Sequence, residues 1–303
     1  MRAKTKNSVL FGSVELPIRE GVSPFVPALI PYTEHGKILE TIAFAIRENL
    51  PVLLIGETGV GKTAAVRHIA AKTNTSLRRV NINGSMTAED FVGQLLVNKD
   101  GTYWKDGVLT ECMRNGYSIV LDEINAASAE ILFVLHSLMD DDRYIVLTDH
   151  PQREIVRAHP DFRIFATMNP QERYAGTQQL NKALLSRFAL TLMVPIPPPD
   201  IEYGQLSGAK DMLGGAKTDK LRAFVEELRG AYMREELDVF ISPRDIANLM
   251  KVYLYTADLR EAVSMTISPR GTEAERKAIM DMAILHFGKA RATTKTKTET
   301  TPI

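Results

Sequence analysis

Two short stretches of the chain carry the residue types that handle phosphate. Gly56-Glu57-Thr58-Gly59-Val60-Gly61-Lys62-Thr63 fits the spacing GxxxxGK[ST] in full. Glycines at that spacing let the backbone turn so tightly that N–H groups point inward at phosphate oxygens. Lys62 brings a positive charge to the outer phosphates, and Thr63 offers a hydroxyl to Mg2+. The residues that follow, TAAVRHIAA, read as a helix whose positive dipole end favours an anion. Sixty residues after Lys62, the apolar run Ser118-Ile119-Val120-Leu121 ends in Asp122-Glu123. Beside a phosphate loop, Asp122 is placed to hold Mg2+ through its water and Glu123 to take a proton from an attacking water.

Composition excludes several other chemistries. The 303 residues contain 37 Lys+Arg and 37 Asp+Glu, so bulk positive charge does not hold the chain on nucleic acid or an anionic membrane. Cys112 is the single cysteine, which excludes an intrachain disulfide and a cysteine-built zinc or iron–sulfur site. The six histidines show no HExxH spacing. No apolar stretch follows the basic residues of MRAKTKNSVLFGS, and the runs PVLLI and ILFVL fall far short of the ~20 residues a bilayer requires. The expectation is a cytoplasmic protein without a membrane segment.

The elements that must position these residues follow from hydrophobic period. Residues 1–30, with Pro17, Pro24 and Pro27, read as an irregular N-terminal arm. Ile38, Leu39, Ile42, Ala43 and Ile46 then repeat at helical spacing before Pro51. Short apolar strands alternate with helical stretches: Val52–Ile55, Arg79–Ile82, Ser118–Leu121, Arg163–Thr167 and Thr191–Val194. That alternation predicts a parallel sheet covered on both faces. Leu95–Trp104 reads as a hairpin with Lys99-Asp100-Gly101 as a tight primed turn. Arg143–His159 reads as a second hairpin, RYIVLT and REIVRA joined by DHPQ. The prolines at Ile196–Pro199 end the sheet domain. Beyond Gly214-Gly215 the chain reads as helices over Thr218–Leu237, Pro243–Thr256 and Glu273–Phe287, with Thr272 and Glu275 as a capping box. The tail ATTKTKTETTPI reads as disordered. The expected domains are an arm over 1–30, an α/β core over 31–199, a linker and helical lid over 200–291, and a tail over 292–303.

With Asp-Glu closing the strand Ser118–Leu121, the Walker A loop and its partners resemble the AAA+ ATPases. Asn169, after the strand Arg163–Thr167 and Met168, matches the family's sensor 1, a polar side chain that orients the lytic water. Arg187 in Leu184-Leu185-Ser186-Arg187-Phe188 resembles the arginine finger, which a neighbouring subunit supplies to neutralise charge at the γ-phosphate. Ser242-Pro243-Arg244-Asp245 opens a helix with Ser242 as N-cap, Pro243 at the first position and Asp245 in the reciprocal capping position. That puts Arg244 in the first turn, like sensor 2; Ser268-Pro269-Arg270 is a rival copy.

Within AAA+ the chain looks like the MoxR/dynein-related group. The two hairpins and Trp104-Lys105-Asp106-Gly107-Val108-Leu109 before the Asp-Glu-Ile-Asn strand end carry that likeness. It is most similar to cobaltochelatase small-subunit-like ATPases through His159-Pro160-Asp161-Phe162-Arg163 and Gly176-Thr177-Gln178-Gln179-Leu180-Asn181. The resemblance implies a P-loop three-layer αβα parallel sheet with a C-terminal helical lid. It also implies ATP and Mg2+ as ligands, hydrolysis of ATP, assembly as a homo-oligomeric hexameric ring, and work with a von Willebrand-type A domain protein to remodel a protein or metalloenzyme partner. Two other readings compete. A nucleic-acid-linked motor, including a McrB-like GTPase suggested by Met168-Asn169, predicts DNA-stimulated hydrolysis, against which the neutral charge counts. A nucleotide-controlled scaffold predicts a flat phosphate-release trace. Tyr103 and Trp104 on the first hairpin are candidates to line a pore or to pack the hairpin. Tyr32 is a candidate to contact adenine, and Met250, Met265, Met280 and Met282 read as lid core.

Overall fold

The computed structural model describes residues 7–21, 23–170, 180–197 and 213–288. The expected tail, the prolines 198 and 199 and the stretch Gly176–Gln179 lie outside the described residues. The chain divides into two compact units, one up to residue 201 and one from residue 202.

The first unit opens with a correction. In place of an irregular arm, Ser8–Phe11 (β1) and Val14–Pro17 (β2) form an antiparallel hairpin. Gly12 takes a φ of +57° at the turn, where a side chain would also strike Glu40. Phe11, Val14 and Leu16 are buried, and the N–H of Ser13 donates to the Glu40 carboxylate at 2.8 Å. Glu40 belongs to the helix Ile38–Glu48 (α1), which the left-handed Asn49 ends.

Five parallel strands form the sheet: Val52–Ile55 (β3), Leu77–Asn81 (β4), Ser118–Asp122 (β7), Arg163–Met168 (β10) and Leu190–Met193 (β11), in the order β11-β3-β10-β7-β4. Helices cover its strands, so β3 and β7 are near-continuous apolar runs rather than alternating ones. Because every strand points the same way, the register sets Met168 opposite Ile55, and Asn81 opposite Asp122, at one edge. The residues expected to do chemistry on phosphate therefore leave the sheet together. Lys62–Lys72 (α2) starts within the last two residues of the phosphate loop.

Two hairpins project from this framework. Ala88–Val92 (α3) leads into Gly93–Asn98 (β5), which pairs with Gly101–Asp106 (β6). The turn differs from the expected primed type: neither Lys99 nor Asp100 has a positive φ, and Gly101 carries it at +120°. The side chain of Asn98 accepts from the N–H of Asp100 at 2.9 Å, which stabilises an ordinary turn without left-handed residues in its centre. The second hairpin, Tyr144–Val146 (β8) with Ile155–Arg157 (β9), is shorter than RYIVLT and REIVRA suggest. Residues between Leu147 and Glu154 fold into successive turns, with N–H bonds from His150 to Leu147 and from Arg153 to His150. Leu147, fully buried, anchors that loop.

Between the hairpins lies Val108–Asn115 (α4), and Arg114 on it joins them. Its guanidinium donates to Asp106 at 2.8 Å and grips Glu154 with two bonds of 2.6 and 2.7 Å. Trp104 donates its indole N–H to Asp106 and packs edge-on against His150. Cys112, on the buried side of α4, has its thiol pushed up to about 12 by burial, so it carries no thiolate at neutral pH. Ala129–Leu138 (α5) and Lys182–Leu185 (α6) complete the unit.

The second unit is helical: Gly215–Met233 (α7), Pro243–Thr256 (α8), Leu259–Thr266 (α9) and Glu273–Phe287 (α10). Leu221, Phe224, Ile246, Leu249, Val263 and Ile279 form its core. Both capping boxes, Ser242 with Asp245 and Thr272 with Glu275, form as the sequence predicts. The reading of three helices misses α9, which Asp258 caps by accepting from the N–H groups of Arg260 and Glu261. Of the methionine set, Met250 is buried, Met280 and Met282 pack against the core, and Met265 is exposed. Among the described residues no helix is long and apolar enough to cross a membrane.

Arg114→Met removes the link between the hairpins. Its expected loss is about 1 kcal/mol of stability, discounted for partial exposure, with faster amide exchange in both hairpins at once. The Arg114 bond holds the Glu154 carboxylate below its ordinary range. That contribution is therefore present at neutral pH and is lost as pH falls through the depressed Glu154 range. Denaturant midpoints of the two proteins should converge on acidification; faster exchange in one hairpin alone would contradict the linkage.

Candidate active site

The phosphate loop is shaped by three glycines used for different reasons. A side chain at Gly56 would meet the carbonyl oxygen of Val194 at 2.5 Å, so the loop leaves β3 where another backbone is too close for any other residue. Gly59 and Gly61 take φ of +82° and +104°, which only glycine adopts without strain. Val60 is buried and pins the loop, while Glu57 is partly exposed and Thr58 fully so. Lys62 is buried and its ammonium donates to the carbonyls of Gly56 at 2.6 Å and Glu57 at 3.0 Å. It also donates to the side-chain oxygen of Asn169 at 3.0 Å, so two residues 107 positions apart meet at the loop.

Asp122, 4% exposed, ends β7 beside them. Its Oδ1 accepts the hydroxyl of Thr63 at 2.6 Å and that of Thr167 at 2.9 Å. Its Oδ2 accepts from the guanidinium of Arg79. A threonine hydroxyl and a carboxylate in contact are hard oxygen donors, and Mg2+ is usually held by one or two such groups together with phosphate and water. The pair fits that ion. Glu123 follows in a left-handed conformation, φ 59° and ψ 46°, and is exposed. A non-glycine residue there is uncommon and stores strain, a feature that clusters at working sites. The kink turns the chain out of β7, and the N–H of Glu123 donates to the Thr167 hydroxyl at 3.4 Å.

Thr167 thus bridges the two acidic residues, and the sequence reading singles out neither it nor Arg79. A threonine two places before Asn169 was the available signal for the first; for the second, nothing marks one arginine of a strand pair as site-facing. Arg187 stands apart from the group. Its guanidinium binds Asp140 in its own chain at 2.7 and 3.4 Å, and the carbonyl of Ala183 at 2.9 Å. Arg244 sits in the first turn of α8, in the second unit, and has no hydrogen-bond or ion-pair partner among the described residues. Its rival Arg270 is instead engaged with Asp245 at 3.1 Å.

Tyr32 borders the loop: its ring lies 3.3 Å from where a Gly61 side chain would start, and it stacks near His35 and His68. Among the described residues the hydroxyl of Tyr32 and Nε2 of His35 are buried without a hydrogen-bond partner, and burial raises the Tyr32 pKa. On the first hairpin Tyr103 is exposed, whereas Trp104 is spent on packing and on Asp106.

Comparison with known proteins bears on this geometry. Residues 51–188, from the start of β3 to just past Arg187, match the family described as AAA domain (dynein-related subfamily). Protein NorQ of Paracoccus denitrificans is 30% identical over 264 residues, covering 85% of this chain and 94% of NorQ. The chain belongs to the MoxR-like AAA+ ATPases. A second relative is the aerobic cobaltochelatase subunit CobS of a Sinorhizobium species, 27% identical over 279 residues, 87% of this chain and 83% of CobS. Midasin of Giardia intestinalis is 36% identical over 173 residues, 54% of this chain, and the chain spans only 3% of midasin's length. As a MoxR-like ATPase the chain has a nucleotide-binding P-loop core, and the fold matches the expected parallel αβα sheet.

Thr167→Val deletes the hydroxyl that links Asp122 to Glu123 while keeping the shape of the side chain. It should lower stability by about 1–2 kcal/mol, the effect of a buried acceptor losing a partner, and Thr167→Ser should recover most of that. Chemical denaturation of the three proteins measures it; equal midpoints would mean the bridge contributes nothing.

Proposed function

We propose that the chain is a ring-forming ATPase, working as a hexamer, that hydrolyses ATP to remodel a protein or metalloenzyme partner. The observation that carries this reading is a division within one chain. Lys62, Thr63, Asp122 and Asn169 converge at the phosphate loop, while Arg187 is bound to Asp140 and meets none of them. A site missing its last positive charge calls for a second copy to supply it.

In this mechanism the loop N–H groups from Gly56 to Thr63 hold the phosphates. Lys62 exchanges its carbonyl partners and Asn169 for phosphate oxygens, which frees the Asn169 amide to orient water. Thr63 and Asp122 would hold Mg2+, which screens phosphate charge as the terminal phosphoryl group departs. Glu123 accepts the proton of the attacking water, and its exposed, kinked position beside Asp122 suits that task. Arg187 of an adjoining copy stabilises the transferring phosphoryl, and Arg244 engages the nucleotide from the lid. Tyr32 beside Gly61, and His35 stacked on it, offer buried polar atoms without a partner among the described residues, which suits an adenine ring. The relative CobS is a subunit of an aerobic cobaltochelatase, which supports a metalloenzyme client. A von Willebrand-type A domain protein is the expected adaptor.

Glu123→Gln should keep nucleotide affinity within about twofold while hydrolysis falls at least about a hundredfold, the usual worth of a general base. Loss of binding instead would remove Glu123 from that role. Arg187→Ala alone should be inactive, yet regain turnover when mixed with Glu123→Gln chains that still carry Arg187. No recovery in the mixture would mean that Arg187 does not act across copies.

A further inference from the structure

We infer that Arg79 is a built-in counter-ion for Asp122, standing in for the positive charge of Mg2+ and displaced from the carboxylate when Mg2+ and nucleotide bind. The inference rests on the reading that Asp122 holds Mg2+, and it assigns to Arg79 the setting of how much Mg2+ that step requires.

Sheet geometry delivers the arginine. In the parallel pair β4 and β7, Arg79 lies opposite Val120, and Asn81 opposite Asp122. Side chains alternate with a period of two, so Arg79 and Asp122 share a face, one pair apart, within reach of a long side chain. The neighbouring Arg78 points to the other face, where it pairs with Glu111 at 2.9 Å and lies over the ring of Phe25. Two successive arginines thus have separate duties, one fastening the fold and one facing the phosphate edge.

The pair is asymmetric in burial. The Asp122 side chain is 6% exposed and that of Arg79 is 56% exposed. A carboxylate this deep requires a compensating charge, and it already has both oxygens engaged, Oδ1 by two hydroxyls and Oδ2 by Arg79. The hydroxyl of Thr63 can bind a cation through its oxygen and still donate to Asp122, so Oδ1 needs no rearrangement. Oδ2 is different: a water of the hydrated cation would share that oxygen with the Arg79 guanidinium, and two cations repel at that range. Arg79, more than half in water already, can swing out at little desolvation cost, whereas Asp122 cannot follow. That repulsion sets the two cations in competition at Oδ2.

Binding of a fluorescent ATP analogue to the full chain, followed over a series of free Mg2+ concentrations at low salt, tests the assignment without reading hydrolysis. Arg79→Met should shift the Mg2+ midpoint down by roughly three- to tenfold, the scale of removing one charge near a partly exposed site, and should lower the thermal midpoint of the nucleotide-free protein in EDTA. Arg79→Lys, which keeps the charge but loses the fork, should fall between Arg79→Met and wild type. A midpoint at or above the wild-type value in either variant overturns the inference, and Arg79→Lys decides alone if circular dichroism shows Arg79→Met unfolded. Asp122→Asn separates the two layers: if its Mg2+ midpoint equals that of wild type, Asp122 does not hold the cation, and the underlying reading fails rather than the role of Arg79.

Discussion

A buried carboxylate at the end of a buried strand constrains everything around it. Asp122 closes β7 where water scarcely reaches, and a charge in that position must be met by donors from whatever elements arrive at the same edge. The parallel sheet brings them: Thr63 from the helix behind the phosphate loop, Thr167 from the next strand, Arg79 from the strand on the other side. Each is a different segment of the chain. Satisfying one acidic group therefore fixes the relative positions of β4, β7, β10 and α2 at the point where phosphate binds. The strain at Glu123 is tolerated for the same reason, because Thr167 ties the backbone just beyond Asp122.

A second polar hub is centred on Arg114 of α4. One guanidinium joins the base of the first hairpin to the loop of the second, with Trp104 and His150 packed beside it. Both hairpins pack against a helix that leads directly into the Ser118 end of β7. Phe133, exposed on α5, and Val97, exposed on the first hairpin, add apolar surface nearby.

The most legible parts of the sequence were those in which local chemistry alone decides the outcome. The eight-residue phosphate loop, the two serine and threonine capping boxes and the apolar central strands depend on spacing within a few residues, and they form where the spacing puts them. The N-terminal hairpin was hidden because its four-residue strands flank Gly12-Ser13 amid prolines, and its stability comes from α1 and Glu40 rather than from its own residues. The short α9 escapes a reading of the sequence because its cap, Asp258, lies only two residues past the preceding helix. The roles of Thr167 and Arg79 depend on which strands become neighbours, an outcome of topology that no local pattern encodes. The opposite fate of Arg78 and Arg79 shows this well: identical residues side by side are sorted by strand face alone.

The central claim is that one copy of this chain holds an incomplete site. Phosphate release per chain, measured at saturating Mg2+ and ATP over a wide range of protein concentration, tests it most directly. The account predicts a specific rate that climbs steeply with concentration and levels off in step with assembly seen by light scattering. A specific rate that stays constant down to concentrations where only single chains remain would contradict it.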